Sequence, residues 1–215
     1  MEVAQSDTRP ASGPTRDPVA LMSRFCSLGV NCELGIAQKS VGSNPFDLLR
    51  WAMTPEDVLL KLLRGRFTDV TEGAHIHTLR GEYFVRSPKY DHDFHTFIRA
   101  EHNDAAEVLA RFVARLSAAA AHLVNDLTVG ERIFVRVDRH GEKATDLARE
   151  LSAYGPGTLL VVREDPGRSG CVERVTDKLL IGYHAGLSDP AHVAATTNTA
   201  SWIELCENVA AVVAA

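Results

Sequence analysis

Three short stretches are apolar almost without a break: Phe25-Cys26 with Leu28, Ile133-Phe134-Val135, and Leu159-Leu160-Val161-Val162. Strands covered on both faces read this way, whereas a half-exposed strand alternates apolar with polar residues. Strands are therefore expected at 24–28, 132–137 and 158–163, with 24–28 in the sheet interior beside 132–137. One or two more strands are expected within 172–183. Helical spacing dominates elsewhere. A helix is expected at 32–40, closed by Gly42, and Pro45 is compatible with another helix start. Thr54-Pro55-Glu56-Asp57 is a helix-start signal before the stripe Val58, Leu59, Leu62 and Leu63. Further helices are expected at 105–127, at 142–154 ahead of Gly155-Pro156-Gly157, and at 200–214. Between 67 and 97 aromatics, His, Gly and Pro follow no helical period, as in short hairpins and long loops.

Strands alternating with helices define an α/β fold: a single three-layer domain with a mixed, mainly parallel sheet. Residues 1–20, rich in Ser, Thr, Pro, Asp and Arg, have little to bury and are expected to form a flexible tail ahead of the domain at 21–215. No internal repeat is visible.

Composition narrows the function classes. The chain has 215 residues and a net charge of −5, which argues against general affinity for nucleic-acid backbones. Its densest basic patch, Lys61 to Arg66, suits the last turn of a helix. No apolar run approaches the ~20 residues needed to span a bilayer, and the first residues lack the pattern of a signal peptide. The four cysteines form no C-x-x-C pair, so free thiols and a cytoplasmic location are expected. Neither G-x-G-x-x-G nor a P-loop lysine is present, and no cofactor is expected. The Ala/Val-rich terminal helix could pack on a second copy of the chain.

The chemistry concentrates around Ser27-Leu28-Gly29-Val30-Asn31-Cys32-Glu33, a strand that breaks at a Gly-Val-Asn turn and opens a helix with a cysteine. Helix N-termini present spare N–H groups and positive potential, which favour a thiolate and a developing oxyanion. Cys32 is thus a candidate nucleophile, and equally fits a thiol packed under its helix. Asn31 could cap that helix or offer its amide to an oxyanion. The cluster Tyr90-Asp91-His92-Asp93-Phe94-His95, expected in a loop, supplies a base: His92 first, flanked by acids such as Asp93, with His95 second. His92 and His95 lack a metal-site geometry such as H-E-x-x-H, and no metal is assigned. Asp47, after Pro45-Phe46, could orient the base. Arg136 and Arg163, at the carboxyl ends of their strands, could bind an anionic substrate group or pair with Asp138 or Glu164. Ser27 is a second candidate nucleophile without a G-x-S-x-G elbow.

The order S-L-G-x-x-C at 27–32, P-F-D at 45–47, His92-Asp93, Phe134-Val135-Arg136 and a late Trp202 resembles an uncharacterised bacterial domain family labelled papain-like cysteine peptidases, across about residues 24–210. The resemblance implies Cys32 as nucleophile, His92 as base and Asp47 as third member, and offers a papain-like α+β fold as the alternative architecture. The family usually carries Trp directly after P-F-D, where Leu48 stands here. The expectation is a cysteine-dependent hydrolase or acyltransferase acting on an amide, ester or thioester of a small-molecule, peptide or glycan substrate. Two alternatives stand beside it: a glycan- or small-molecule-modifying enzyme using Ser27 or Asp47, and a non-catalytic anion-binding module.

Overall fold

The computed structural model describes residues 17–138, 143–188 and 196–215. A five-stranded sheet runs in the order β1 (Phe25–Ser27), β5 (Ile133–Val137), β6 (Thr158–Glu164), β8 (Leu179–His184), β7 (Val172–Thr176). The first four are mutually parallel, and β7 closes the sheet as the antiparallel arm of a hairpin with β8. A separate antiparallel meander joins β2 (His75–Leu79), β3 (Glu82–Ser87) and β4 (His92–Arg99).

The apolar runs are two-faced, as expected of strands sandwiched between layers. Cys26, Leu28, Phe134, Leu159 and Val161 point to one side of the large sheet. There they meet α3 (Glu56–Arg64), α4 (Ala105–Val129), α5 (Ala144–Ser152) and the inner face of the meander. Phe25, Ile133, Val135, Leu160 and Val162 point to the other side and meet α1 (Pro18–Ser23), α2 (Glu33–Ser40) and α6 (Thr199–Ala214). The expected α/β fold with a mixed, mostly parallel sheet is the one observed. The apolar side of α6, including Trp202, Leu205, Cys206 and Val209, is buried inside this layer.

Several expectations need correction. The end of the expected tail is helical: Asp17 accepts a hydrogen bond from the Val19 N–H and caps α1. Residues 1–16, and the expected start of the helix at 142, lie outside the described residues. Pro45 starts no helix. Arg50, fully buried, instead donates to Asn44 Oδ1 (2.6 Å) and to the carbonyls of Gly35 (2.9 Å) and Ser43 (3.2 Å), which fixes 43–47 as an irregular segment against α2. The stripe at Leu59, Leu62 and Leu63 is buried as expected. His92 opens strand β4 rather than sitting in a loop.

β1 pairs with β5 as expected, but at the sheet edge, not in its interior. It is nevertheless wholly buried. The Arg24 carbonyl accepts from the Ile133 N–H, so the Phe25 carbonyl turns away from β5. Side chains satisfy it there: Gln38 Nε2 and Arg132 Nη2 both donate to it at 2.9 Å. An edge whose acceptors are filled in this way no longer invites another strand.

After β1 the chain reverses through Gly29, in the left-handed region at φ +63°. A Cβ there would stand 2.8 Å from Thr54 Oγ1 and 3.0 Å from the Leu49 carbonyl oxygen. Left-handed strain and overpacking act together at this position. Gly29→Ala is expected to lower the unfolding free energy by about 2–4 kcal/mol. Urea denaturation of the two proteins measures the difference, and a loss below about 0.5 kcal/mol would show that the turn is not constrained in this way.

Candidate functional site

The β1–α2 turn is built by its own side chains. Ser27 Oγ accepts the Gly29 N–H at 3.2 Å, and Asn31 Oδ1 accepts the Glu33 N–H at 3.2 Å. Asn31 Nδ2 in turn donates to Glu33 Oε1 at 2.7 Å. The Asn31 amide is therefore engaged in holding the helix start, and Ser27 in holding the turn. Cys32 takes the cap position of α2, one residue before the expected first turn, and is half-buried. Its thiol hydrogen-bonds to no described residue. Burial pushes the thiol above its ordinary pKa, opposite to the depressed value expected at a helix terminus.

His92 is 4% exposed, on the inner face of the meander. Its Nε2 lies 3.2 Å from Thr54 Oγ1, and its ring stands edge-on to Phe94. Burial pushes it down to about 4, outweighing the upward pull of Asp93. The imidazole is thus neutral at physiological pH. Asp93, the next residue along β4, projects from the opposite face. There it takes hydrogen bonds from His77 Nε2 (2.9 Å) and Arg86 Nη1 (2.7 Å), so it does not orient His92.

Thr54 joins these two parts. Its hydroxyl meets His92, its carbonyl accepts from Arg136 Nη1 at 2.8 Å, and its Oγ1 packs against Gly29. The His92 ring therefore reaches the turn that carries Cys32 through one side chain. No hydrogen bond joins the Cys32 thiol to His92 among the described residues.

The remaining expected site residues have other partners. Asp47 is bridged by Arg132, Nη1 to Oδ1 at 2.5 Å and Nη2 to Oδ2 at 3.2 Å, which also binds Asp126. It therefore serves β5 and the Pro45 segment, and among the described residues no hydrogen bond joins it to His92. Arg136 is 1% exposed and donates to the carbonyls of Leu28, Gly29 and Thr54. One end of its guanidinium, Nη1, is thus turned to the backbone. Arg163 pairs with Asp138 at 3.0 Å. His95 pairs with Glu82 at 2.6 Å on the outer face of the meander.

Sequence reasoning passed over Glu33. Its carboxylate is fully buried, accepting from Asn31 Nδ2, from the Ser188 N–H at 2.9 Å and from Trp202 Nε1 at 3.3 Å. It ties the start of α2 to α6. The available signal was an acid in a first helical turn together with a late Trp that needs an acceptor. His184, at the end of β8, packs its ring 4.9 Å from Trp202. It is fully buried, and among the described residues its Nε2 has no partner at hydrogen-bond geometry.

A cleft of about 520 Å³ opens between the Asn44–Ala52 segment, the free edge of β4 and α4. Phe46, Trp51, Phe94, Phe97 and Phe112 supply its aromatic walls, and neither Cys32 nor His92 lines it. Phe97 is in the left-handed region at φ +59° and yet 53% exposed. That conformation costs a non-glycine residue about 1–2 kcal/mol.

Comparison with family models, with curated proteins and with solved structures finds no match for this chain. The resemblance drawn from S-L-G-x-x-C, P-F-D and His92-Asp93 therefore rests on those motifs alone. Among the described residues, no helix is long and apolar enough to cross a membrane, and no group of three or more His, Cys, Asp or Glu is placed to hold a metal ion.

Burial of His92 has a measurable consequence. Its folded pKa is about 4, while the unfolded value is about 6.5. The unfolded chain takes up the proton first as pH falls, so stability is complete above about pH 6.5 and declines from there toward 4. The loss attributable to this one group is on the order of 3 kcal/mol. Urea denaturation of wild type between pH 7 and 4 is expected to show this decline. His92→Gln should flatten it in part, because buried His184, also shifted down by burial, contributes with the same sign. An equally steep decline in His92→Gln would show that His92 is not buried in its neutral form.

Proposed function

We propose that the protein is a cysteine-dependent hydrolase or acyltransferase with Cys32 as nucleophile and His92 as base. The observation that carries this reading is the Thr54 junction. A half-buried thiol with no hydrogen-bond partner among the described residues sits at a helix start, and the turn before it meets a neutral imidazole through one hydroxyl. The resting pair is a thiol and an imidazole, both uncharged, rather than an ion pair. On attack, Cys32 Sγ bonds to the carbonyl carbon while its proton passes to His92. The oxyanion develops at the positive end of α2. Collapse expels the amine or alkoxide with the proton from His92, leaving a thioester that water or an acceptor amine resolves. Arg136, Asn31 and Asp47 support this chemistry by holding the backbone around it and are not substrate ligands.

One observation favours a second reading, ligand binding without chemistry: burial raises the Cys32 pKa and so disfavours the thiolate. An activated ester such as p-nitrophenyl acetate separates the two readings. The expected result is a burst with an acetyl group on Cys32, abolished in Cys32→Ser. His92→Gln should slow the burst about 10²-fold and remove an acid limb near pH 4 that follows the His92 titration. Iodoacetamide labelling of Cys32 should show a midpoint above the ordinary thiol value. Acetylation that persists in Cys32→Ser, or no burst at all, would favour the binding module.

A further inference from the structure

The large cleft has a chemistry of its own. Phe46 leans across from its segment to rest 6.1 Å from the His122 ring of α4. Trp51 has one face covered by the Arg50 guanidinium, 4.7 Å from the ring centroid, and meets Phe97 edge-on at 5.8 Å. The aromatic surface of the cleft is thus held by its neighbours rather than free to collapse. Phe46 and Phe97 are 43% and 53% exposed, unusual for phenylalanine. Phe97 is moreover kept in a conformation that glycine would adopt without strain. Strain retained to present an apolar ring to solvent is a mark of a binding surface.

The charge of the cleft is opposite to that of the chain. In a protein of net charge −5, its lining carries two cations, Lys39 of α2 and Arg115 of α4. Neither forms an ion pair among the described residues; the Arg115 guanidinium lies over the Phe112 ring at 5.8 Å. The one carboxylate of the lining, Asp47, is bridged by Arg132, which it shares with Asp126. Apolar aromatic walls together with two cations that form no ion pair among the described residues define a complementary ligand.

We infer that this cleft binds a small anionic molecule with a flat aromatic body, whose rings pack on Phe46, Trp51 and Phe97 and whose carboxylate, sulfonate or phosphate meets Lys39 and Arg115. The inference is independent of the reading of Cys32, because neither Cys32 nor His92 lines the cleft.

Anilinonaphthalene sulfonate tests it directly, with uncharged N-phenylnaphthylamine as its counterpart. The sulfonate should bind the native protein saturably at one site, with energy transfer from tryptophan that falls in Trp51→Phe, leaving only the share of Trp202. The double variant Lys39→Ala, Arg115→Ala should weaken the sulfonate at least tenfold and the uncharged probe less than threefold. Phe97→Gly should weaken both probes while keeping or raising the melting temperature, since glycine relieves the left-handed strain. This combination separates a binding role from a structural one. Equal affinity of both probes for wild type, an unchanged sulfonate affinity in the double variant, or non-saturable binding would each overturn the inference. Cys32→Ser should leave sulfonate binding intact, so loss of the acylation burst and loss of this site are read separately.

Discussion

The arrangement around Cys32 depends on the buried guanidinium of Arg136. It leaves β5 and donates to carbonyls at the end of β1, in the Gly29 turn and just ahead of α3. A buried cation with good donor geometry is tolerable only when acceptors surround it, and removing either side leaves the other unsatisfied. Here the acceptors are main-chain carbonyls that the turn would otherwise bury without partners. One side chain thus compensates both its own desolvation and that of three peptide groups. It also holds Thr54 against Gly29, and Thr54 in turn positions His92. Arg50 and Arg132 act in the same manner on the Asn44 segment and on Asp47. In each case a long planar donor reaches main-chain or carboxylate oxygens from several segments, a geometry that lysine does not reproduce.

This use of arginine changes the electrostatics of the region. A surface arginine near a strand end attracts anions, but a buried one that donates to main-chain carbonyls presents less of its charge to a ligand. Around Cys32 and His92, burial outweighs every nearby charge: the thiol is raised and the imidazole lowered. Both shifts favour the uncharged forms, the outcome expected where desolvation dominates. Any chemistry there begins from a neutral pair, and the helix dipole acts on the charge that develops rather than on a stored thiolate. The positive potential that composition hides is located elsewhere, on Lys39 and Arg115 at the aromatic cleft.

Much of the layering was legible because burial on both faces leaves a direct trace in the residues. Ile133-Phe134-Val135 and Leu159–Val162 could be placed as sandwiched strands from that trace alone. The same trace misled for β1. Two covered faces do not imply two covered edges, and the filling of the Phe25 carbonyl by Gln38 and Arg132 has no local signature. His92 was legible as an unusual residue but not as a strand residue. Its segment alternates His92, Phe94, Thr96 against Asp93, His95, Phe97, and histidine counts as polar in either register. The roles of Asp47 and Arg136 were illegible for a different reason. Their partners are 85 and up to 108 residues away in sequence, and a carboxylate or guanidinium looks the same whether it waits for a ligand or holds a loop.

Glu33 shows how far such structural commitments extend. A fully buried carboxylate is costly unless its lone pairs are filled, and those of Glu33 are filled from three different segments: Asn31, Ser188 and Trp202. The residue adjoining Cys32 is therefore fixed by the packing of α6, which follows the last strand of the sheet. Movement of α6 would disturb the start of α2 and with it the Cys32 thiol, whereas the aromatic cleft meets α2 through Lys39 in its last turn. The two halves of the molecule are separated by that sheet, with α1, α2 and α6 on one side and α3, α4, α5 and the meander on the other. Thr54 and Arg136 cross this division at the carboxyl ends of the strands, the region of an open α/β sheet where the covering layers part and backbone is left to be satisfied by side chains or by a ligand.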